Sequence, residues 1–257
     1  MNAPHPEPAI RVQNLTMAYG DHVVMQDLTF DIQRGDIFII MGGSGCGKST
    51  LMRHLLGLEE PAKGHVFYGG CDFTQSDHEE RNALLRRIGV MYQGGALFTS
   101  MTLAENVSLP LEQYTHLTPD QIRCNAAYKL ALVGLSGFED FFPSQISGGM
   151  NKRAAIARAM ALDPEFLFLD EPSAGLDPVS ASRLDELLRE LKEQLKCTLV
   201  VVTHELASIF AIGTNSVFLD VQTKTLGAVG NPRELRDHCP DPGIRAFLNP
   251  GETPPTP

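Results

Sequence analysis

The chain has 257 residues, 43% hydrophobic and 20% charged, the balance of a globular protein long enough to bury a full core. Its formal net charge of −10 argues against a direct grip on nucleic acid or anionic lipid headgroups, both of which need basic surface. Five scattered cysteines (Cys46, Cys71, Cys124, Cys197, Cys239) form no C-x-x-C pair, which excludes a disulfide framework or zinc site and points to a reducing compartment, the cytoplasm. No basic-then-apolar leader opens the sequence, and no run approaches the roughly 18 apolar residues of a membrane span. Work at a membrane would need an anchor from elsewhere.

Residues 1–8 carry Pro4, Pro6 and Pro8 among polar neighbours and read as a disordered lead-in. Two β-rich segments follow, Ile10 to Met17 and Val23 to Ile32, joined across Tyr19-Gly20-Asp21. The alternation of Leu28, Phe30 and Ile32 with Thr29 and Asp31 predicts half-buried antiparallel strands. The apolar run Ile37 to Met41 then leads into Gly42-Gly43-Ser44-Gly45-Cys46-Gly47-Lys48-Ser49, which reads G-x-x-x-x-G-K-S, and on into a helical stretch from Thr50. Strand, glycine loop and helix in that order are the context of a phosphate-binding P-loop. Glycines let backbone N–H groups converge on phosphate oxygens, and the helix start adds its positive end. Lys48 is placed to reach the β- and γ-phosphates and the Ser49 hydroxyl to ligate Mg²⁺. A nucleoside triphosphate site is expected here, with Thr50 in the phosphate-binding set.

Beyond Pro61 and Gly64, His65 to Tyr68 reads as a strand turning at Gly69-Gly70. Asp77 to Arg87 reads as a charged helix, and Ile88 to Tyr92 as a short strand ending at Gln93. Helical patterns dominate residues 95–160, including the capping-box arrangement Thr118-Pro119-Asp120-Gln121, so a helical subdomain is expected there. Within it, Ser147-Gly148-Gly149 opens a helix and makes a second candidate anion site. Phe166 to Leu169 reads as a strand buried on both faces, ending in Asp170-Glu171. Asp170 is placed to hold magnesium through its water shell, and Glu171 to polarise the water that attacks the γ-phosphate. Asp177-Pro178 starts a helix with Leu184, Leu187, Leu188, Leu191 and Leu195 on one face. A buried strand from Leu199 to Val202 ends at Thr203-His204. Strands near Ser216 to Val221 and Leu226 to Val229 follow, with helix starts at Asn231-Pro232 and Asp241-Pro242. Residues 249–257 read as a mobile tail. Taken singly, Asp170-Glu171 reads equally as a strand-end acidic turn, Gln93 also as a solvated loop residue and Tyr19 as a hairpin aromatic, while His204 is more often a structural strand-end histidine and Asp177 a plain helix cap.

In series, however, the P-loop, Gln93, Ser-Gly-Gly, Asp170-Glu171, the Ser173 to Asp177 segment and His204 occur in the order of ABC-type ATPase subunits, which the chain resembles from Ile10 to about Leu248. The resemblance implies an α/β fold: a P-loop NTPase (RecA-like) core with an antiparallel β subdomain and a helical subdomain, the ATPase domain spanning residues 9–248. It implies ATP and Mg²⁺ as cofactors, Tyr19 stacking on adenine, and Gln93 touching magnesium or the attacking water. It further implies His204 on the γ-phosphate, and Ser147, Gly148, Gly149 and Asp177 completing the ATP site of a second protomer. ATP would join two subunits head to tail, hydrolysis would part them, and a transmembrane permease would respond. Where the wider family has Gln after Ser-Gly-Gly, this chain has Met150, which offers no amide. With Gln93 to Thr99, Met101-Thr102, Glu105-Asn106-Val107 and the Asp241 to Leu248 ending, Met150 resembles the branch serving MCE-type, Mla-like phospholipid transporters. That branch implies an MCE-domain protein of the periplasm, a small STAS-domain subunit, and a place on the cytoplasmic face of the inner membrane. Another cargo (amino acid, ion or organic solvent) and a soluble ABC ATPase acting on nucleic acid or ribosomes remain the alternatives.

Overall fold

The computed structural model describes residues 7–250, which divide into two compact units, residues 7–81 with 202–250 and residues 82–201. The expected lead-in lies outside the described residues apart from Glu7 and Pro8, as does the expected tail apart from Asn249 and Pro250.

In the first unit, β1 (Ile10–Tyr19) and β2 (His22–Ile32) form an antiparallel hairpin closed by Gly20-Asp21, with Tyr19 opposite His22. The register shifts three times between Val12 and Ala18, and Asn14 and Asp27 take positive φ at these irregularities. Alternate residues are buried as expected: Leu28, Phe30 and Ile32 face the core. β1 also pairs with β4 (Lys63–Tyr68), which pairs with the two-residue β5 (Cys71–Asp72), in the order β2-β1-β4-β5. A second layer of strands starts with β3 (Ile37–Gly42), buried at every residue. It runs parallel to β9 (Asn215–Asp220), which pairs antiparallel with β10 (Thr225–Gly230). Full burial on both faces explains why β3 reads as an unbroken apolar run. Helix α1 (Lys48–Leu55) follows β3, and α7 (Leu206–Ile212), α8 (Pro232–His238) and α9 (Pro242–Leu248) complete the unit. Asn231 and Asp241 cap the last two, each followed by Pro at the first helical position.

The division between units falls within α2 (His78–Leu85), the expected charged helix. In the second unit, β6 (Ile88–Met91) runs parallel to β7 (Phe166–Asp170), which neighbours β8 (Thr198–Val202). Between β6 and β7 the chain is helical: α3 (Leu103–Tyr114), α4 (Pro119–Leu132) and α5 (Gly148–Ala159). Thr118 and Gln121 form the capping box read from the sequence, and Thr102 with Glu105 forms another at α3. α6 (Pro178–Leu195) starts at Asp177, whose carboxylate accepts from the N–H groups of Val179 and Ser180 at 3.0 and 3.1 Å. Leu184, Leu188 and Leu191 are buried, while Leu187 and Leu195 are half-buried at the margin of that face.

Candidate functional site

The P-loop leaves β3 with its glycines in conformations that a side chain would resist. Gly42, Gly45 and Gly47 have φ of 148°, 74° and 94°. A methyl group on Gly42 would stand 2.6 Å from the Leu219 carbonyl oxygen and 2.7 Å from Cys46 Sγ; one on Gly47 would stand 2.9 Å from Val24 Cγ1. The loop is thus closed on β9 at one end and packed on the β1–β2 hairpin at the other. Lys48 Nζ curls back to donate to the carbonyl oxygens of Gly42 and Gly43, both at 3.0 Å. An ammonium folded over a glycine cradle is the arrangement a triphosphate needs. No acidic residue stands in the first turn of α1 to compete for its positive end. These residues fit ATP. Cys46 is buried inside the loop, and burial pushes its thiol pKa up.

Two other expected residues belong to this unit. Tyr19 is 52% exposed at the hairpin tip, its hydroxyl donating to Glu59 Oε2 at 2.7 Å. His204 is exposed just beyond Thr203, whose N–H donates to the Ile40 carbonyl of the P-loop strand at 3.3 Å.

The remaining expected residues belong to the second unit. Asp170 and Glu171 are buried at the end of β7. Glu171 has φ 48°, a left-handed backbone that a non-glycine residue adopts only when its surroundings hold it there. Lys152 of α5 donates to the carbonyl oxygens of Glu171 (3.4 Å) and Ala174, and the Ala174 N–H donates to the Glu171 carbonyl at 3.2 Å. Ser147, exposed, caps α5 by accepting from the Met150 N–H at 3.2 Å, and no acidic residue follows in the first turn. Space is open around Gly148. The Asp177 carboxyl is held below the usual carboxylate pKa by Ser180 and the α6 N–H groups.

Gln93 is exposed on the loop after β6. Gly94, Gly95 and Ala96 all have positive φ, and Arg158 of α5 fixes the turn by donating to the carbonyls of Ala96 (2.8 Å) and Gly95 (3.0 Å). Further along, fully buried Asn106 accepts from the Phe98 N–H at 2.7 Å and donates to the carbonyls of Phe98, Met101 and Thr102. Arg153 clasps the end of α4 through the carbonyls of Val133 and Gly134. Sequence reasoning assigned no structural task to Lys152, Arg153, Arg158 or Glu59. Asn106, noted there only as a branch marker, proves to be a buried clamp; an amide on the apolar side of a helical pattern is the signal that could have revealed it.

A family model described as ABC transporter matches residues 25–174. The chain belongs to that family. It is 39% identical to the probable ribonucleotide transport ATP-binding protein mkl of Mycobacterium leprae over 94% of this chain and 69% of that one. It is also 39% identical to the intermembrane phospholipid transport system ATP-binding protein MlaF of Haemophilus influenzae, over 79% of this chain and 77% of the relative. Identity to MlaF of Escherichia coli K12 is 34%, covering 93% and 88%. Among solved structures, it resembles a dimeric post-hydrolysis state of an ATP-binding cassette bound to ADP and Pi, with TM-score 0.77, 29% identity and coverage of 86% and 97%. A Clostridium perfringens cassette described as part of an ABC transporter complex gives TM-score 0.80 at 27% identity, covering 91% and 96%. The chain is therefore an ABC ATPase subunit that binds and hydrolyses ATP on an α/β P-loop NTPase fold. Among the described residues no helix is long and apolar enough to cross a membrane.

Proposed function

We propose that this ATPase powers phospholipid trafficking between inner and outer membrane, working as a homodimer under a transmembrane permease at the cytoplasmic face of the inner membrane. The observation that carries the reading is the likeness to phospholipid transport ATP-binding proteins of two organisms over most of the chain. The departure at Met150 supports it, since the branch resembled shares that feature. A periplasmic MCE-domain protein and a STAS-domain subunit complete the proposed assembly, which does not engage nucleic acid. The mycobacterial relative is named for ribonucleotide transport, and that cargo is the competing reading.

In the proposed cycle Tyr19 stacks on the adenine, and the residue 42–50 loop with Lys48 binds the triphosphate. Glu171 takes a proton from the attacking water, while His204 bonds the γ-phosphate. Ser49, Gln93 and Asp170 are the proposed Mg²⁺ donors, offering a hydroxyl, an amide and a carboxylate oxygen, hard donors that suit the ion, which would neutralise phosphate charge. Ser147, Gly148, Gly149 and Asp177 serve the ATP of the second copy, so that loss of the γ-phosphate removes charge-assisted bonds between copies. For the permease we assign a groove of about 440 Å³ in the second unit, lined by Arg86, Val90, Pro110, Tyr114, Arg158 and Leu162. Arg158 both lines this groove and holds the carbonyls just after Gln93, which gives the permease a physical handle on the Gln93 loop.

The test is a gentle-detergent pull-down from native membranes with mass spectrometry of proteins and lipids. Recovery of a multi-span permease, an MCE-domain protein and enriched phospholipid is expected. A permease with a different binding protein and no lipid would overturn the cargo.

A further inference from the structure

Four side chains at the start of the first unit form a cluster that the ATPase cycle above does not use. Helix α1 begins at Lys48 and ends in a tight reversal: the Gly57 N–H donates to the His54 carbonyl (3.0 Å) and the Leu58 N–H to the Arg53 carbonyl (2.9 Å), with Gly57 at φ 65°. This Schellman geometry turns the chain back beneath the helix it has just left. Glu59 is therefore delivered to the last turn of α1. Arg53 Nη1 donates to Glu59 Oε1 at 3.2 Å. His54, buried, lies with Nδ1 2.9 Å from the Glu59 carbonyl oxygen and so carries its proton there. The other carboxylate oxygen, Oε2, accepts the Tyr19 hydroxyl at 2.7 Å.

Tyr19 also interacts with the Arg53 side chain that holds Glu59. Its ring is half exposed at a hairpin tip, and an aromatic side chain in that position must lose rotamer freedom before it can serve as a flat binding surface. Met17 and Val24 of the same hairpin pack on the Gly47 end of the P-loop, so the tip projects from a base fixed to the phosphate loop. The bond to Glu59 adds a second attachment, this time to the far end of the helix that the phosphate loop starts. We infer that Glu59 is a positioning residue for nucleobase recognition: held by Arg53 at its carboxylate and by His54 at its main-chain carbonyl, it fixes the Tyr19 ring as the platform for the base. This rests on the reading of Tyr19 as the adenine-stacking residue, and it adds what makes that residue effective. Base and phosphate recognition are then two ends of one rigid piece, hairpin tip and helix α1.

The experiment measures equilibrium binding of ATP and of inorganic tripolyphosphate, which has the phosphates and no base, to the purified full-length chain. The variants are Tyr19→Ala, Tyr19→Phe, Glu59→Ala, Glu59→Gln and Tyr19→Phe/Glu59→Ala. Loss of one preorganising hydrogen bond is expected to weaken ATP binding about three- to tenfold in Glu59→Ala and in Tyr19→Phe. The double variant should lose no more than Tyr19→Phe alone, because the hydroxyl that Glu59 holds is then already gone. Tyr19→Ala should lose about tenfold or more, and Glu59→Gln, which keeps an acceptor oxygen, should recover most of the affinity. Tripolyphosphate binding should stay within about twofold of the parent chain throughout, a result that also certifies folding. Equal losses for ATP and tripolyphosphate in Glu59→Ala would overturn the inference, since the residue would then act on α1 and not on the base. Unchanged ATP binding in Glu59→Ala, with Tyr19→Ala impaired, would overturn it while leaving Tyr19 as the platform. Unchanged ATP binding in Tyr19→Ala would remove the platform and the inference together.

Discussion

Asn106→Ala is expected to loosen the loop that leads from Gln93 into the helical segment, at a cost that can be worked out. The Asn106 side chain is fully buried and makes four contacts, one as acceptor and three as donor. Two amide N–H groups share three carbonyls, so about three full hydrogen bonds are at stake. At about 1 kcal/mol net for each, the substitution costs about 3 kcal/mol. For a chain of this size that lowers the melting temperature by roughly 6–12 °C. The sequence has no tryptophan, so far-UV circular dichroism is the suitable probe. Asn106→Asp should be worse than alanine, because it keeps the bond from Phe98 N–H but turns a carboxylate toward three carbonyl oxygens. A fall under about 2 °C for alanine, or a milder effect for aspartate, would refute the clamp.

Other consequences are separable. Glu171→Gln should bind ATP, accumulate as a closed dimer and slow turnover by about 10²-fold or more; undiminished steady-state hydrolysis would show that Glu171 is not the base. Lys48→Ala should lose nucleotide affinity in a direct binding assay, and normal ATP binding would undo the P-loop assignment. Alkylation of the native chain at mild pH should label exposed Cys71 and Cys124 and spare Cys197, whose thiol burial pushes up to about 11; equal labelling of all three would contradict that burial. Burial lowers the pKa of His54, so the folded state binds its proton less well than the unfolded chain does. Stability should therefore fall as pH drops below the ordinary value of 6.5, and His54→Gln should flatten that part of the stability–pH curve.

What the sequence made legible were features whose partners lie close along the chain. Asp177 caps α6 through N–H groups two and three residues away, and Thr118 and Gln121 cap α4 across the same distance, so residue type and spacing suffice. The P-loop is equally local, its glycines following directly on the buried strand β3. The clasps made by Lys152, Arg153, Arg158 and Asn106 were not legible because their acceptors are main-chain carbonyls. Every residue carries one, so nothing in the acceptor's identity marks it. Glu59 has a side-chain partner 40 residues away that only the hairpin's fold brings near. The left-handed turn at Glu171 escaped for a related reason: an apolar run ending in two carboxylates does not show where the backbone reverses. Helix α7 is short and its N-cap Glu205 makes no side-chain cap bond, so it left little trace. Strand β5, two residues long, left none.

Helix α5 grips three separate segments, the turn after β7, the end of α4 and the loop after Gln93, and the atoms it grips do not titrate. Guanidinium groups stay charged over the whole physiological range, and an amide carbonyl has no proton to gain there. Ion pairs in the same unit, such as Arg87 with Glu165 and Lys129 with Asp163, set charge against charge, and the exposed ones are open to screening by salt. Salt therefore weakens the exposed Arg87–Glu165 pair more than the α5 clasps, whose acceptors are neutral carbonyls. In concentrated salt this unit would lose peripheral bracing before the helix that holds its three segments let go.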